Sequence, residues 1–322
     1  MPVFSVIIPN YNHSSFLKQR INSILSQTFQ DFELIILDDA STDNSREIIN
    51  SFQGEKRITK IDYNNRNSGS PFLQWKKGIE LAKSELIWIA ESDDYADSRF
   101  LEDAYTHLTK KPSAGYYYCD AFIVKEGSSS TQVFSNIKNQ EFSTTKWNHS
   151  YCSTGIEELN AHLKFKCTVN NISSVVFRKN IVLNFIENFK FFIYHGDWLF
   201  YIALSLVSDV IYSNRPYSFY RAHEKSHLHS ADDLYQSNAE HFRILQYLIS
   251  QPSITSKTQL IEYFSFHYLG FGILENGIWT AIKLFQKYRK IDSKLSLAVF
   301  FKIIKIKVYL RSREKQHFTE IS

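Results

Sequence analysis

Carboxylates sit at the ends of short apolar runs. Phe4-Ser5-Val6-Ile7-Ile8 leads into Pro9-Asn10-Tyr11-Asn12, Phe32 to Leu37 leads into Asp38-Asp39, and Glu85 to Ala90 leads into Glu91-Ser92-Asp93-Asp94. If the three runs are neighbouring strands of an open α/β sheet, the crevice beyond their carboxyl ends is the place for a ligand. Two acidic pairs then share one mouth. Half-buried carboxylates are costly unless a positive charge neutralises them, and a divalent cation carrying a phosphorylated ligand would do so. Hard carboxylate oxygens suit Mg²⁺ or Mn²⁺.

The elements that must hold these groups are legible in the apolar spacing. After the first strand, Ser14 or Ser15 can cap a helix with Leu17, Ile21, Ile24 and Leu25 on one face. A second helix is expected over 41–52, with Asp43 in or near its first turn, and Ile58 and Ile61 suggest a strand. After the polar loop 64–70, Ser70 reads as an N-cap and Pro71 as the first helical residue, with Phe72, Trp75, Ile79 and Ala82 following at helical spacing. Strands separated by helices imply a parallel sheet with right-handed crossovers. Further on, the pattern predicts a helix to about Lys110, a strand over 115–124, a strand at 175–177, a helix around 199–210 and aromatic-faced helices over 234–290.

The run Ser5 to Asn12, then Ser26-Gln27-Thr28-Phe29, then Asp38 to Asp43, then Glu91 to Asp94, resembles the family 2 glycosyltransferases of GT-A fold. The resemblance covers residues 1–125 strongly and 126–230 more weakly. It implies an inverting transfer of sugar from a nucleotide-diphospho-sugar to a glycan or lipid-linked acceptor, in cell-surface polysaccharide or lipopolysaccharide synthesis. It also implies a catalytic domain over 1–230, a donor half to about residue 125 and an acceptor half after it, with a helical accessory region over 231–322. Asp38 and Asp39 would be donor-binding, the second accepting a base N–H such as uracil N3–H. Tyr11 would flank the base and Pro9 shape the wall. Asp93 would approach the ribose and Asp94 hold Mn²⁺ or Mg²⁺, with the two roles exchangeable. Glu91 departs from the usual Asp at its position.

The resemblance gives Asp197, in Tyr194-His195-Gly196-Asp197-Trp198, the role of general base; as a residue it also reads as a helix N-cap. Arg221 would add positive charge to the donor site, and His223 would touch the metal or the diphosphate. A solvated His-rich loop is the rival reading, because His227 and His229 follow. Trp198 is a sugar platform or core. Arg66, Lys76 or Lys77 are candidates for phosphate, and Asn170 and Asn171 for the acceptor pocket.

Composition is that of a globular chain, with 43% hydrophobic, 16% aromatic and 22% charged residues among 322 and a net charge of +4. Three cysteines at unrelated spacings fit a reducing compartment rather than a disulfide framework. The N-terminus lacks the pattern of a signal peptide, and no run reaches the ~18 apolar residues of a membrane span. A cytoplasmic protein is expected, with no nucleic-acid partner. The last forty residues are strongly basic, and over 295–310 lysines alternate with Phe, Ile, Val and Leu. Such a segment lies on the anionic inner face of the cell membrane or packs on the protein with its lysines outward. Rival readings are a non-catalytic sugar-binding homologue and a sugar nucleotidyltransferase. The first βα turn, Pro9 to Ser14, has none of the glycines the latter's phosphate loop would carry.

Overall fold

A computed structural model describes residues 1–125, 132–169, 171–222, 231–269 and 282–305. Chain contacts divide it into two compact units, residues 1–163 with 167–226 and residues 164–166 with 227–322.

The first unit is built on a ten-stranded sheet. Its strands are β1 (Phe4–Asn10), β2 (Phe32–Asp38), β3 (Ile58–Tyr63), β4 (Leu86–Ile89), β5 (Tyr95–Ala96), β6 (Ala114–Lys125), β7 (Gln132–Val133), β8 (Tyr151–Ser153), β9 (Val175–Arg178) and β10 (Asp209–Ala222). The main order is β3-β2-β1-β4-β9-β6-β10-β5. The first four strands in this order are parallel, with Ile7 opposite both Ile35 and Ile89. Burial on both faces explains why β1, β2 and β4 are continuous apolar runs rather than alternating ones.

Beyond β4 the sheet becomes mixed. β9 runs antiparallel to β4 and β6, and β10 runs parallel to β6. Sequence periodicity does not disclose β10. Its register shifts twice around Pro216, and these irregularities break the alternation by which strands are read. The helix expected around 199–210 ends at Val207, and the strand begins two residues later.

The helices of this unit are α1 (Ser14–Leu25), α2 (Ser45–Asn50), α3 (Pro71–Leu81), α4 (Phe100–Lys110), α5 (Phe134–Glu141), α6 (Gly155–Glu158), α7 (Lys179–Val182) and α8 (Gly196–Val207). The start of α1 is held from outside: Asp43 accepts hydrogen bonds from the backbone N–H of Ser14 (2.9 Å) and of Ser45 (3.0 Å). One carboxylate therefore caps both α1 and α2, and α2 is shorter than the expected 41–52. Ser70 stands at the N-cap of α3, with Pro71 first in the helix, but its hydroxyl donates to the carbonyl of Phe192 at 2.8 Å.

The second unit contains α9 (Ala231–Ser250), α10 (Lys257–Phe264) and helical stretches over 282–291, here α11, and 293–305, here α12. Phe242 and Tyr288 stack with ring centroids 4.5 Å apart, and Leu245, Leu260, Leu295, Val299 and Ile303 are also buried. Asp292 caps α12 by accepting from the N–H groups of Lys294 and Leu295. The apolar residues of α12 fall into two sets. Leu295, Val299 and Ile303 pack inward, whereas Leu297, Phe301 and Ile304 are 48%, 62% and 42% exposed. Among the described residues no helix is long and apolar enough to cross a membrane.

Gly155 opens α6 against the end of α8. A Cβ there would lie 2.2 Å from the carbonyl oxygens of Ser205 and Ser208, both backbone atoms that cannot rotate away. Gly155→Ala is expected to destabilise the fold by ~1–3 kcal/mol through overpacking, read as a lowered urea midpoint at unchanged m-value.

Candidate active site

Because β1 lies between β2 and β4, their carboxyl ends open into one cavity of about 310 Å³. Pro9, Asn10, Tyr11 and His13 contribute one wall, Asp39 and the segment Asn67 to Gln74 another, and Glu91 with Ser92 a third. Tyr11 is 44% exposed at the rim. Asn12 (φ 56°) and Ala40 (φ 62°) hold left-handed conformations in the loops after β1 and β2. For a residue with a Cβ that costs ~1–2 kcal/mol. The loops are kept there by cross-links, since Asn12 Oδ1 accepts from Thr42 N at 2.8 Å and Ser41 Oγ accepts from Asn12 N at 3.0 Å.

The two acids after β2 diverge. Asp38 is wholly buried and does not line the cavity; it accepts from Asn10 Nδ2 (3.0 Å), Ser41 N (3.1 Å) and Arg46 Nε (3.4 Å). Its place is beneath the cavity wall, not on it. Asp39 lines the cavity and accepts from Ser68 N and Oγ, Asn64 Nδ2 and Gln74 Nε2. Two buried acceptor oxygens of cavity-lining residues, Asn10 Oδ1 and Gln74 Oε1, have no hydrogen-bond donor among the described residues.

The acidic turn after β4 rests on Arg20. This side chain is completely buried, donates from Nε to the Glu91 carbonyl at 2.7 Å and lies 5.5 Å from the Trp88 ring. Burial lowers its pKa to about 10, against the attraction of Asp94, Asp93 and Glu91, which raises it. Glu91 accepts from Trp75 Nε1 at 2.7 Å, and burial, reinforced by Asp93, pushes its carboxyl up to about 8. Burial and Asp93 also raise the Asp94 carboxyl. Asp94 is 2% exposed and accepts the backbone N–H of Arg221 at 2.9 Å. Ser173 both accepts from Glu91 N (3.1 Å) and bonds the Asp94 carboxylate. Asp93 is more exposed than Asp94.

Arg221 is committed to this turn. It donates to the Asp93 carbonyl (2.6 Å) and Gln19 Oε1 (2.7 Å), and its guanidinium lies 4.4 Å from the Phe16 ring. It does not line the cavity. Asp197 lies in the first turn of α8, half-buried, with Oδ1 accepting from Trp198 N at 2.8 Å. That turn is fastened to the cavity wall twice, through Ser70 to Phe192 and through Gly196, whose absent Cβ would meet the Phe72 ring at 2.7 Å. Burial lowers the His195 pKa to about 4, so the residue before Gly196 is neutral at physiological pH.

Trp198 is core, 3% exposed, donating to the Leu163 carbonyl at 2.7 Å. Lys76 pairs with Glu187 (2.6 Å) and Lys77 with Asp62, so both candidates for phosphate are engaged elsewhere. Arg66 is exposed. Asn171 is spent locally, accepting from Ser173 N at 2.8 Å. Asn170 and His223 lie outside the described residues. Among the described residues, no group of three or more His, Cys, Asp or Glu side chains is set to hold a metal ion.

Sequence reasoning missed Arg20, Ser68, Gln74 and Ser173. Arg20 had a signal, a charge placed among Leu17, Ile21 and Ile24 on the buried stripe of α1. Ser173 had none, because it reaches the acidic turn only through the pairing of β9 with β4. Arg20→Met should leave the acidic turn uncompensated. Breaking a buried charge set in this way costs ~3–5 kcal/mol, to be checked by guanidinium unfolding at neutral pH.

Residues 5–175, more than half of the chain, match the family model of glycosyl transferase family 2. Glycosyltransferase GlyG of Streptococcus pneumoniae serotype 4 is 34% identical over 119 residues, 36% of this chain and 39% of that protein. The chain matches under half the length of the first curated relatives. A crystal structure of Staphylococcus aureus TarS in complex with UDP-GlcNAc has a TM-score of 0.67 at 17% identity, over 96% of this chain and 91% of that one. Mannosyltransferase PcManGT of Pyrobaculum calidifontis, in complex with GDP-Man and Mn²⁺, has a TM-score of 0.58 at 12% identity, over 96% of this chain and 87% of that one. The fold is accordingly of GT-A type, and the chain belongs to glycosyl transferase family 2.

Proposed function

We propose that this protein transfers a glycosyl group, with inversion, from a nucleotide-diphospho-sugar to a hydroxyl of a glycan or lipid-linked acceptor in cell-surface glycan synthesis. One observation carries the reading: a single cavity is bounded by Tyr11 and Asp39 on one side and the acidic turn on the other, with the Asp197 turn fastened to its wall. Pro9, Tyr11 and Asp39 form the base side, with Asp38 holding that wall from below. Tyr11 offers a ring face for stacking at low entropic cost. A uridine donor is favoured by the TarS complex with UDP-GlcNAc. The division of labour proposed is a catalytic domain over 1–230 and an accessory region after it.

A divalent cation fits the charge of the acidic turn. Three carboxyls face one buried guanidinium, and two of them are raised by burial and mutual repulsion. Few protein ligands suffice for Mg²⁺ or Mn²⁺, which keep water and phosphate oxygens as partners. Asp93 is the better ligand because it is the more exposed of the two, Asp94 being buried against Arg221 N and Ser173, which exchanges the roles expected from sequence; His223 is the further candidate, two residues after Arg221 in the chain. When bound, the cation neutralises negative charge developing on the leaving diphosphate. Arg221 serves this site by holding the turn. Asp197 takes the proton from the acceptor hydroxyl as its oxygen bonds to the anomeric carbon and the carbon–phosphate oxygen bond breaks on the opposite face. The helix-capping role of Asp197 is the rival, and it predicts a change in stability rather than in rate.

Asp197→Asn should keep nucleotide binding and melting temperature but slow transfer ~10²–10⁴-fold, the range for a general base. Asp93→Asn should lose activity in parallel with exhaustive chelation. A rate within a few-fold of wild type for the first variant removes the general-base role; activity that survives chelation removes the metal.

The proposed setting is the cytoplasmic face of an anionic membrane. The exposed stripe Leu297, Phe301 and Ile304 on α12, with exposed Lys294 and Lys305 at its ends, suits the headgroup boundary. The double substitution Leu297→Asp with Phe301→Asp should reduce sedimentation with phosphatidylserine vesicles while leaving donor hydrolysis unchanged. Equal sedimentation of both proteins at low salt would exclude the stripe as the contact.

A further inference from the structure

We propose that Gln74 reads the base of the nucleotide donor through its side-chain oxygen, and that Asp39 orients it. The inference rests on the nucleotide-sugar reading above. Gln74 lines the cavity from α3 and is 4% exposed. Its Nε2 donates to Asp39 Oδ1 at 2.8 Å and lies 3.3 Å from Ser68 Oγ. An ionised carboxylate only accepts hydrogen bonds, so the amide nitrogen must face Asp39 and the oxygen must face away from it. That oxygen is buried and has no donor among the described residues.

Asp39 is in the opposite condition. It receives Ser68 N (3.0 Å to each oxygen), Ser68 Oγ (2.7 Å), Asn64 Nδ2 and Gln74 Nε2. Four donors match the roughly four lone-pair sites of a carboxylate. A ligand N–H can bond Asp39 only by displacing one of them, whereas it can bond Gln74 Oε1 at no such loss. A buried acceptor left unpaired is costly, which makes a ligand bearing an N–H at this point the favoured occupant.

The class of base follows. Uracil N3–H and guanine N1–H present a donor at the pairing edge. Cytosine N3 and adenine N1 present a lone pair there, which a carbonyl oxygen repels. Gln74 thereby selects bases with a ring N–H.

The test compares UDP with CDP, which share size and charge, by calorimetry on the full chain with Mg²⁺ present. Wild type should bind UDP at least ten-fold more tightly. Gln74→Met and Gln74→Leu, close in volume, should each lose about ten-fold in UDP affinity and bring the UDP-to-CDP ratio toward one. Variants that melt like wild type and keep both the affinity and the ratio overturn the assignment and return the contact to Asp39. Failure of the wild type to bind UDP, GDP, CDP or ADP overturns the nucleotide reading itself, a separate outcome. If neither variant folds, N3-methyl-UDP on the wild type decides: binding equal to UDP overturns the proposal, and at least ten-fold weaker binding supports it.

Discussion

The site depends on one buried cation. Arg20 projects from α1 beneath the acidic turn, and its Nη1 and Nη2 have no hydrogen-bond partner among the described residues. Its contribution there is Coulombic, exerted on Glu91, Asp93 and Asp94 together. At low effective dielectric such a charge acts strongly over several ångströms. Replacing an ion set by apolar groups of the same shape can be neutral, but removing one partner is not. The turn therefore requires the helix that follows β1 to bring a guanidinium under the end of β4, and adjacency of β1 and β4 makes that possible.

A second layer of polar bonds gives neighbouring acids different work. Asp38 and Asp39 follow each other at the end of an extended strand, where successive side chains point to opposite sides. One is turned into the β1–β2 loops and the other into the cavity. Asp93 and Asp94 divide likewise, the latter drawn inward by Arg221 N and Ser173. Asp38 and Asp94 tie down loops from within, whereas Asp39 lines the cavity and Asp93 is the more exposed of its pair. The strained Ala40 is held in its conformation by that network, because Asp38 accepts from Ser41 and Asp39 from Ser68 on either side of it.

The turn that carries Asp197 is joined to the cavity wall through α3. Ser70 to Phe192 and the packing of Gly196 on Phe72 join the start of α8 to the start of α3. Trp75 links the same helix to Glu91 and packs against Phe200 of α8, ring centroids 6.0 Å apart. A shift of α3 would therefore move the cavity wall, the acidic turn and Asp197 together.

The sequence by itself determined the parallel half of the sheet, the helices α1, α3 and α4, and the acids at the strand ends, because apolar periodicity and caps are local signals. The family was legible for the same reason, its motifs being short and contiguous. Tertiary structure alone decided which acid of each pair turns inward, that Arg221 braces the turn, that Lys76 and Lys77 are paired, and that Gln74, Ser68 and Ser173 belong to the site. These are contacts between residues far apart in the chain, 128 positions between Arg221 and Asp93 and 202 between Arg221 and Gln19. Which partner a polar side chain finds follows from strand order and packing, and neither is written in its neighbours. The strand β10 shows the same limit, since pairing with β6 overrides the irregularities around Pro216 that hid it.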